Sequence, residues 1–188
     1  ASGSYVLDTN VIKWNDHTNS NPIADVRYYG TRVAKASGGF RPKHGVMSRS
    51  VWDSLAIHPD FVSLISGGAT SGNPSIVTRQ LVAAAFELES LLVMDSVYDS
   101  AAENATWAPA WIGGDAFLLY YKPPVAGLEM PSAFYGLGWT GMVGMSPFGG
   151  RIRKFRMEAN AADRVEIDAA FDWKLTGAAM ASLLYDLL

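Results

Sequence analysis

Four aspartates, Asp8, Asp53, Asp95 and Asp99, are the residues of this sequence that could act together on a metal ion. Clustered carboxylates bind divalent cations, and the bound cations activate the water that hydrolyses a phosphodiester. The spacing of the acids does not complete such a site, because residues 33–55 offer only Asp53 and no glutamate occurs before Glu87. A cation-dependent nuclease is therefore one hypothesis for the chain.

Residues 5–12, with the sequence YVLDTNVI, resemble the first strand of PIN-type metal-dependent nucleases. The resemblance implies a ribonuclease in which Asp8 helps to hold a divalent cation, with Asp95 and Asp99 as later ligands. Two features speak against it. Asp-Thr-Asn is a short motif with many chance matches, and long strand candidates near the end of the chain do not suit a compact α/β nuclease. A PIN-like ribonuclease is kept as an alternative.

The other side chains that could bind a metal or a cofactor do not form a site by their spacing. His17, His44 and His58 fall in three different predicted elements, and none belongs to an HxH or HxxxH pair. Cysteine is absent, which excludes thiolate chemistry and disulfides. Residues 136–141 match GxGxxG, but no helix follows to direct backbone amides at a phosphate. We expect no catalytic residue, no metal ligand, no cofactor and no enzymatic activity.

One concentrated basic run, Arg151, Arg153, Lys154 and Arg156, lies in a predicted strand. Successive side chains of a strand point to opposite faces, so Arg151 and Arg153 share a face with Phe155 and neither face is purely basic. Three interpretations stay open: contact with acids of a neighbouring subunit, contact with DNA, and a solvated strand.

The composition favours an interface with other subunits. Charged residues make up 18% of the chain, while apolar residues reach 49% and aromatic residues 12%. Burial between subunits absorbs such apolar surface, although a dense core would do the same. Trp107, Trp111, Trp139 and Trp173 are accordingly predicted to be core or interface anchors rather than a ligand platform.

Charge and hydropathy exclude several function classes. The net charge of −3 provides no global field that attracts nucleic acid. The sequence contains no long uncharged apolar run and no basic-then-apolar start, so membrane insertion and secretion have no support. The chain begins Ala-Ser-Gly-Ser without a methionine, and we expect a processed or trimmed polypeptide.

The elements that position these residues follow from caps and periodicity. Asn21 as N-cap, Pro22 in the first turn and Asp25 near the N-terminus predict a helix over residues 22–37, which the glycines at 38–39 end. A helix-rich first half and a β-rich second half predict an α+β fold. The main strand candidates are residues 44–48, 90–94, 116–122, 151–159 and 164–173.

A second resemblance covers nearly the whole chain and depends on the order and spacing of several segments. These are WND at 14–16, NSNPIAD at 19–25, RP at 41–42, GVMSRSVWDSL at 45–55, HP at 58–59, LLVMDSVY at 91–98, FLLYY at 117–121, and residues 131–139 and 164–173. In this order the segments resemble the C-terminal part of major capsid proteins of tailed phages and prophages, which share the Hong Kong 97-like fold.

The resemblance implies a shell subunit with two domains. A peripheral domain would comprise residues 1–42 and 149–176, with a long spine helix at 22–37 and long strands at 151–159 and 164–173. A mixed α/β axial domain would comprise residues 43–148, and residues 177–188 would return to it. Capsid proteins of this kind have a longer N-terminal part with an arm and an extended loop, which this chain is expected to lack because it begins too late to hold them.

The resemblance also implies partners and a location. Copies would assemble through pentamers and hexamers into an icosahedral virion capsid, built in the bacterial host cytoplasm around DNA that the subunit contacts non-specifically. Scaffold, protease and decoration proteins are the further partners that it implies, and no membrane is involved. The same fold builds bacterial protein-cargo compartments, which stay as a second alternative.

Overall fold

The computed structural model describes residues 12–66, 77–127, 129–139, 141 and 150–188. Within these ranges the α-helices occur in the first half of the chain, and none of them combines the length and the apolar character needed to cross a membrane. The helices are α1 (Pro22–Ala36), α2 (Arg49–Ala56), α3 (Pro59–Ser66) and α4 (Arg79–Ala85).

Helix α1 begins and ends for local reasons. The side chain of Asn21 accepts the backbone N–H of Ala24 at 3.0 Å, which caps the first turn. The helix ends at Ala36, one residue before the predicted end, and the glycines that follow have φ angles of 80° for Gly38 and 112° for Gly39. Residues other than glycine rarely adopt these backbone angles, so the two glycines terminate the helix.

Strands occur along the whole described chain, and β7 and β8 are the longest of them with eight residues each. In chain order the strands are β1 (His44–Ser48), β2 (Ser90–Met94), β3 (Val97–Asp99), β4 (Pro109–Trp111), β5 (Phe117–Tyr120), β6 (Phe134–Gly138), β7 (Gly150–Met157), β8 (Ala162–Ala169), β9 (Phe171–Leu175) and β10 (Ala181–Leu184).

One mixed sheet organises the helical part of the chain, and its strand order is β10-β5-β1-β2. Strand β1 runs parallel to β2 and antiparallel to β5, and β10 completes the sheet antiparallel to β5. The other described strands form three two-stranded ribbons, β3–β4, β6–β9 and β7–β8. Helices that pack on one sheet, followed by separate ribbons, are consistent with the predicted α+β class.

An aromatic cluster forms the centre of the core beside this sheet. The ring of Trp14 lies 6.4 Å from that of Phe86 and 6.0 Å from that of Phe117, and Phe61 contacts Phe86 edge-on at 5.4 Å. All four rings are at most 2% exposed. The backbone N–H of Trp14 donates to the carbonyl of Leu187 at 2.7 Å, so the core joins the loop before α1 to the end of the chain.

His58 is fully buried where α2 meets α3, and its ring connects this corner to the loop before α1. The backbone N–H of Asp60 donates to Nδ1 at 3.2 Å, so in the neutral ring the proton resides on Nε2. This Nε2 lies 3.0 Å from Oγ of Ser20, and the Ser20 hydroxyl donates to the Asp16 carbonyl at 2.7 Å. Burial lowers the pKa of His58, the carboxylate of Asp60 opposes this effect, and the neighbouring ring of His17 adds to it.

This arrangement predicts that acid destabilises the first part of the fold through His58. Its folded-state pKa is lower than that of the unfolded chain, about 6.5, so the unfolded chain takes up the proton first. The stabilisation by neutral His58 is complete above the pKa that this histidine has in the unfolded chain. It is lost as pH falls below that value toward the pKa of His58 in the folded chain. We expect His58→Gln to cost about 1–2 kcal/mol at neutral pH and to flatten the pH dependence of the free energy of unfolding.

Urea unfolding of the wild type and His58→Gln at pH about 7.5 and about 5.5, on either side of the unfolded histidine pKa, tests this prediction. His44→Gln serves as the control. This substitution removes another histidine whose pKa is lowered by burial, and it leaves the contacts of His58 intact. Equal pH dependence in the wild type and His58→Gln would contradict the assignment.

The described chain divides into two compact units, one comprising residues up to Ala133 together with Gly177–Leu188, and the other Phe134–Thr176. Val26 and Tyr29 of α1 are buried in the core of the first unit. Helix α1 therefore groups with residues 43–133, whereas the predicted peripheral domain groups it with the long strands of residues 149–176. Peripheral and axial describe positions in a shell, and the assignment of those positions stays a prediction.

The predicted long strand at residues 164–173 is two strands. Strand β8 pairs with β7 and begins earlier than predicted, after a turn in which Ala161 has a φ angle of 47°. Strand β9 instead pairs with β6, and the Ala170 carbonyl between β8 and β9 accepts the N–H of Trp139 at 2.9 Å. The change of pairing partner breaks the strand, a cause that periodicity along the sequence does not contain.

Candidate assembly surface

The hairpin of β7 and β8 carries the predicted basic run and places carboxylates beside its arginines. Arg151 lies directly opposite Asp168 and donates to Oδ2 from Nε at 3.0 Å and from Nη2 at 2.7 Å. Arg153 lies opposite Glu166 and donates to it at 2.8 Å. The hydrogen bond from Arg151 lowers the pKa of Asp168, so this carboxylate stays ionised beside the two guanidinium groups.

Toward the tip of the hairpin, Lys154 and Arg156 share one carboxylate. Their distances to Asp163 are 3.2 Å and 3.4 Å. Across residues 150–169 the hairpin has five cationic and four acidic side chains, so little positive charge is left unbalanced for a polyanion. These contacts show how the charges pair within one chain, and contact of the basic run with a neighbouring subunit or with DNA stays a prediction.

One face of the hairpin is apolar away from its tip. Ile152 lies opposite Ile167, and Val165 lies opposite Lys154 on the same face. Ile152 is 73% exposed, Ile167 76% and Val165 59%. We call Ile152, Val165 and Ile167 the isoleucine face. The sequence-based prediction did not include this face, although the alternation of Arg151, Ile152 and Arg153 places the isoleucine on the face opposite these two arginines.

The ribbon of β6 and β9 presents a second apolar face, formed by Phe134, Phe171, Trp173 and Leu175. We call these four residues the aromatic face, and each is at least 40% exposed. A Cβ on Gly136 would lie 2.6 Å from the ring of Trp173, so the indole lies directly over this glycine. The pairs that share the face are Phe134 with Leu175, Gly136 with Trp173, and Gly138 with Phe171.

No described residue of Phe134–Thr176 is buried. An isolated two-stranded ribbon is at best marginally stable in water, and contiguous exposed apolar surface usually marks an interaction site. Trp139 and Trp173 are 59% and 76% exposed, so of the two predicted roles, core anchor and interface anchor, the core role does not apply to them. The exposed apolar side chains of this unit are therefore a candidate binding surface for another protein.

The acids considered for a nuclease site have other partners in the described chain. Asp53 and Asp95 both bind Arg49, at 2.9 Å and 3.2 Å, so a guanidinium group lies between the two carboxylates. Asp99 accepts the backbone N–H groups of Ala101 and Ala108, both at 3.0 Å, and shapes the β3–β4 loop. Asp8 lies outside the described residues.

The structure brings together two histidines that the sequence places in separate elements. The rings of His17 and His58 are 5.3 Å apart, and Nε2 of His17 lies 3.4 Å from Oγ of Ser54. His44 instead contacts Ser90 at 2.7 Å. Among the described residues, no group of three or more His, Cys, Asp or Glu side chains could hold a metal ion.

Comparison with known proteins gives a structural match. No protein-family model matches the chain, and no curated protein matches it. The crystal structure of a phage-related protein from Bordetella bronchiseptica RB50 is similar over 93% of this chain, with a TM-score of 0.72 and 18% sequence identity. The chain spans about half, 54%, of that protein. At this identity the likeness shows a shared fold.

Proposed function

We propose that the chain is part of the major capsid subunit of a tailed phage or prophage, with the Hong Kong 97-like fold, and that it has a structural rather than an enzymatic role. The observation that carries the proposal is the unit Phe134–Thr176, whose described residues include two exposed apolar faces and no buried side chain. The fold shared with a phage-related protein and the order of the capsid-like sequence segments support it.

The physical chemistry suits a shell. Many copies of a weak, identical contact add up to a strong assembly, so a subunit of this kind needs apolar surface for its neighbours and no catalytic group. We propose that copies form pentamers and hexamers, with scaffold, protease or decoration proteins as further partners. The location would be the virion capsid after assembly in the bacterial cytoplasm. Contact with packaged DNA would be weak and non-specific, because the β7–β8 hairpin leaves little positive charge unbalanced.

Expression of the complete protein in a bacterial host, followed by electron microscopy and light scattering, tests the proposal. We expect closed particles, and with the other phage proteins present we expect them to protect DNA from added nuclease. Particles that enclose a protein cargo instead of DNA would favour the compartment alternative. A small species that cleaves RNA with manganese, and loses the activity on Asp8→Asn, would contradict a shell role.

A further inference from the structure

The two apolar faces of Phe134–Thr176 differ in chemistry. The aromatic face consists of rings, one leucine and glycines, and no charged residue belongs to it. The isoleucine face has branched aliphatic side chains, and Lys154, whose side chain is 66% exposed, lies beside them on the same side of the hairpin. The two faces therefore differ in their side chains, and both are exposed in a single copy of the chain.

We infer that the aromatic face of one copy binds the isoleucine face of a second copy, so that the contact is heterologous. The inference rests on the proposed shell function. A contact between two unlike patches continues from copy to copy and closes into a ring when the rotation between copies allows it, whereas the same patch paired with itself stops at a dimer. A shell built from pentamers and hexamers needs the first kind of contact.

The sizes of the faces match this pairing. With 150–250 Å² for each aromatic side chain, the exposed parts of the aromatic face amount to roughly 450 Å². The isoleucine face contributes a few hundred Å², which exceeds scattered surface residues and is typical of an interaction patch. A standard interface covers about 800 Å² on each partner, with an apolar centre and a polar rim. Each face is large enough for that centre.

The side-chain types of the two faces also suit this pairing. Aromatic and β-branched side chains pair favourably on strands. Lys154 lies beside the isoleucine face, and its ammonium, 3.2 Å from Asp163, is exposed enough to contact an aromatic ring of a second copy.

Two variants of the complete protein test the two faces one at a time. Trp173→Asp places a charge on the aromatic face, and Ile167→Asp places one on the isoleucine face, at positions that are both 76% exposed. We expect each variant to raise the protein concentration needed for assembly at least about thirtyfold, the loss typical of a hot-spot residue. Lys174→Asp is the control, because it alters the same strand on its opposite face.

Mixing the two variants distinguishes a heterologous contact from the alternatives. Each variant retains one intact face, so an equimolar mixture is expected to form dimers in sedimentation velocity, while either variant alone does not. A mixture that stays monomeric, dimers of a single variant, or full assembly by either variant would overturn the inference. Circular dichroism checks the fold, and Phe171→Asp replaces Trp173→Asp if the indole over Gly136 proves necessary for the ribbon.

Comparing assembly of the wild type with assembly of the variants distinguishes failure of this inference from failure of the proposed function. If the wild-type protein forms no particles, the shell proposal fails. If the wild type assembles and both variants assemble equally well, the shell proposal stands and the pairing of the two faces is wrong.

Discussion

Replacing Trp14 by alanine is expected to lower the free energy of unfolding of the first unit by about 3–5 kcal/mol. The indole is fully buried and lies against the rings of Phe86 and Phe117. Its Nε1 donates to the carboxylate of Asp25 at 3.0 Å, so the substitution also removes a hydrogen bond from a half-buried acid. Burial raises the pKa of Asp25, and the indole N–H is the donor that opposes this effect.

Trp173→Ala is the matched control, because it makes the same chemical change at a residue that is 76% exposed. We expect it to leave the free energy of unfolding of the first unit within about 0.5 kcal/mol of the wild type. Urea denaturation followed by far-ultraviolet circular dichroism reports on the described α-helices, all of which lie in the first unit. Equal losses from the two variants would show that the buried cluster does not carry the stability of this unit.

Gly45→Ala and Gly30→Ala are expected to change stability in opposite directions. Gly45 lies in β1, between β2 and β5, and an added Cβ would come within 2.9 Å of both Leu88 Cδ1 and Phe117 Cε2. Because Phe117 is fully buried and cannot move aside, overpacking should cost about 1–3 kcal/mol. Around Gly30, in the middle of α1, the nearest atoms would be 3.9 Å away, so alanine should stabilise the helix by about 0.5–1 kcal/mol.

The same urea titration measures both glycine variants. A gain in stability for Gly45→Ala would mean that the core beside β1 can expand to accept a methyl group. A loss for Gly30→Ala would mean that close packing on α1, rather than backbone entropy, sets the requirement for glycine there. Phe117→Leu combined with Gly45→Ala should recover part of the loss, because the clashing ring is then absent.

The two units differ in what stabilises them. The first unit has its own core, with Trp14, Leu55 and Phe117 fully buried. The described part of Phe134–Thr176 has strand pairing and surface ion pairs, which contribute little on their own. Under the proposed function, neighbouring copies supply the missing burial, so this unit gains its stability on assembly.

The sequence by itself determined the features that depend on neighbouring residues. Asn21 and the glycines at 38–39 bound α1 almost where the caps predict, because capping and left-handed backbone angles are local properties. The strand at residues 44–48 and the basic strand of β7 also follow from composition and alternation. Low charge and many aromatic residues indicated surface that needs a partner, although not which residues form it.

Only the tertiary structure decided which of these residues are buried and which are paired. Trp14 is a core residue and Trp173 an exposed one, although polar and charged residues flank both tryptophans in the sequence. Trp14 is buried because the rings of Phe86 and Phe117, from distant segments of the chain, pack against its indole. The division of residues 164–173 between β8 and β9 has the same kind of cause. Burial and strand pairing depend on contacts between distant segments, and local periodicity carries no information about those contacts.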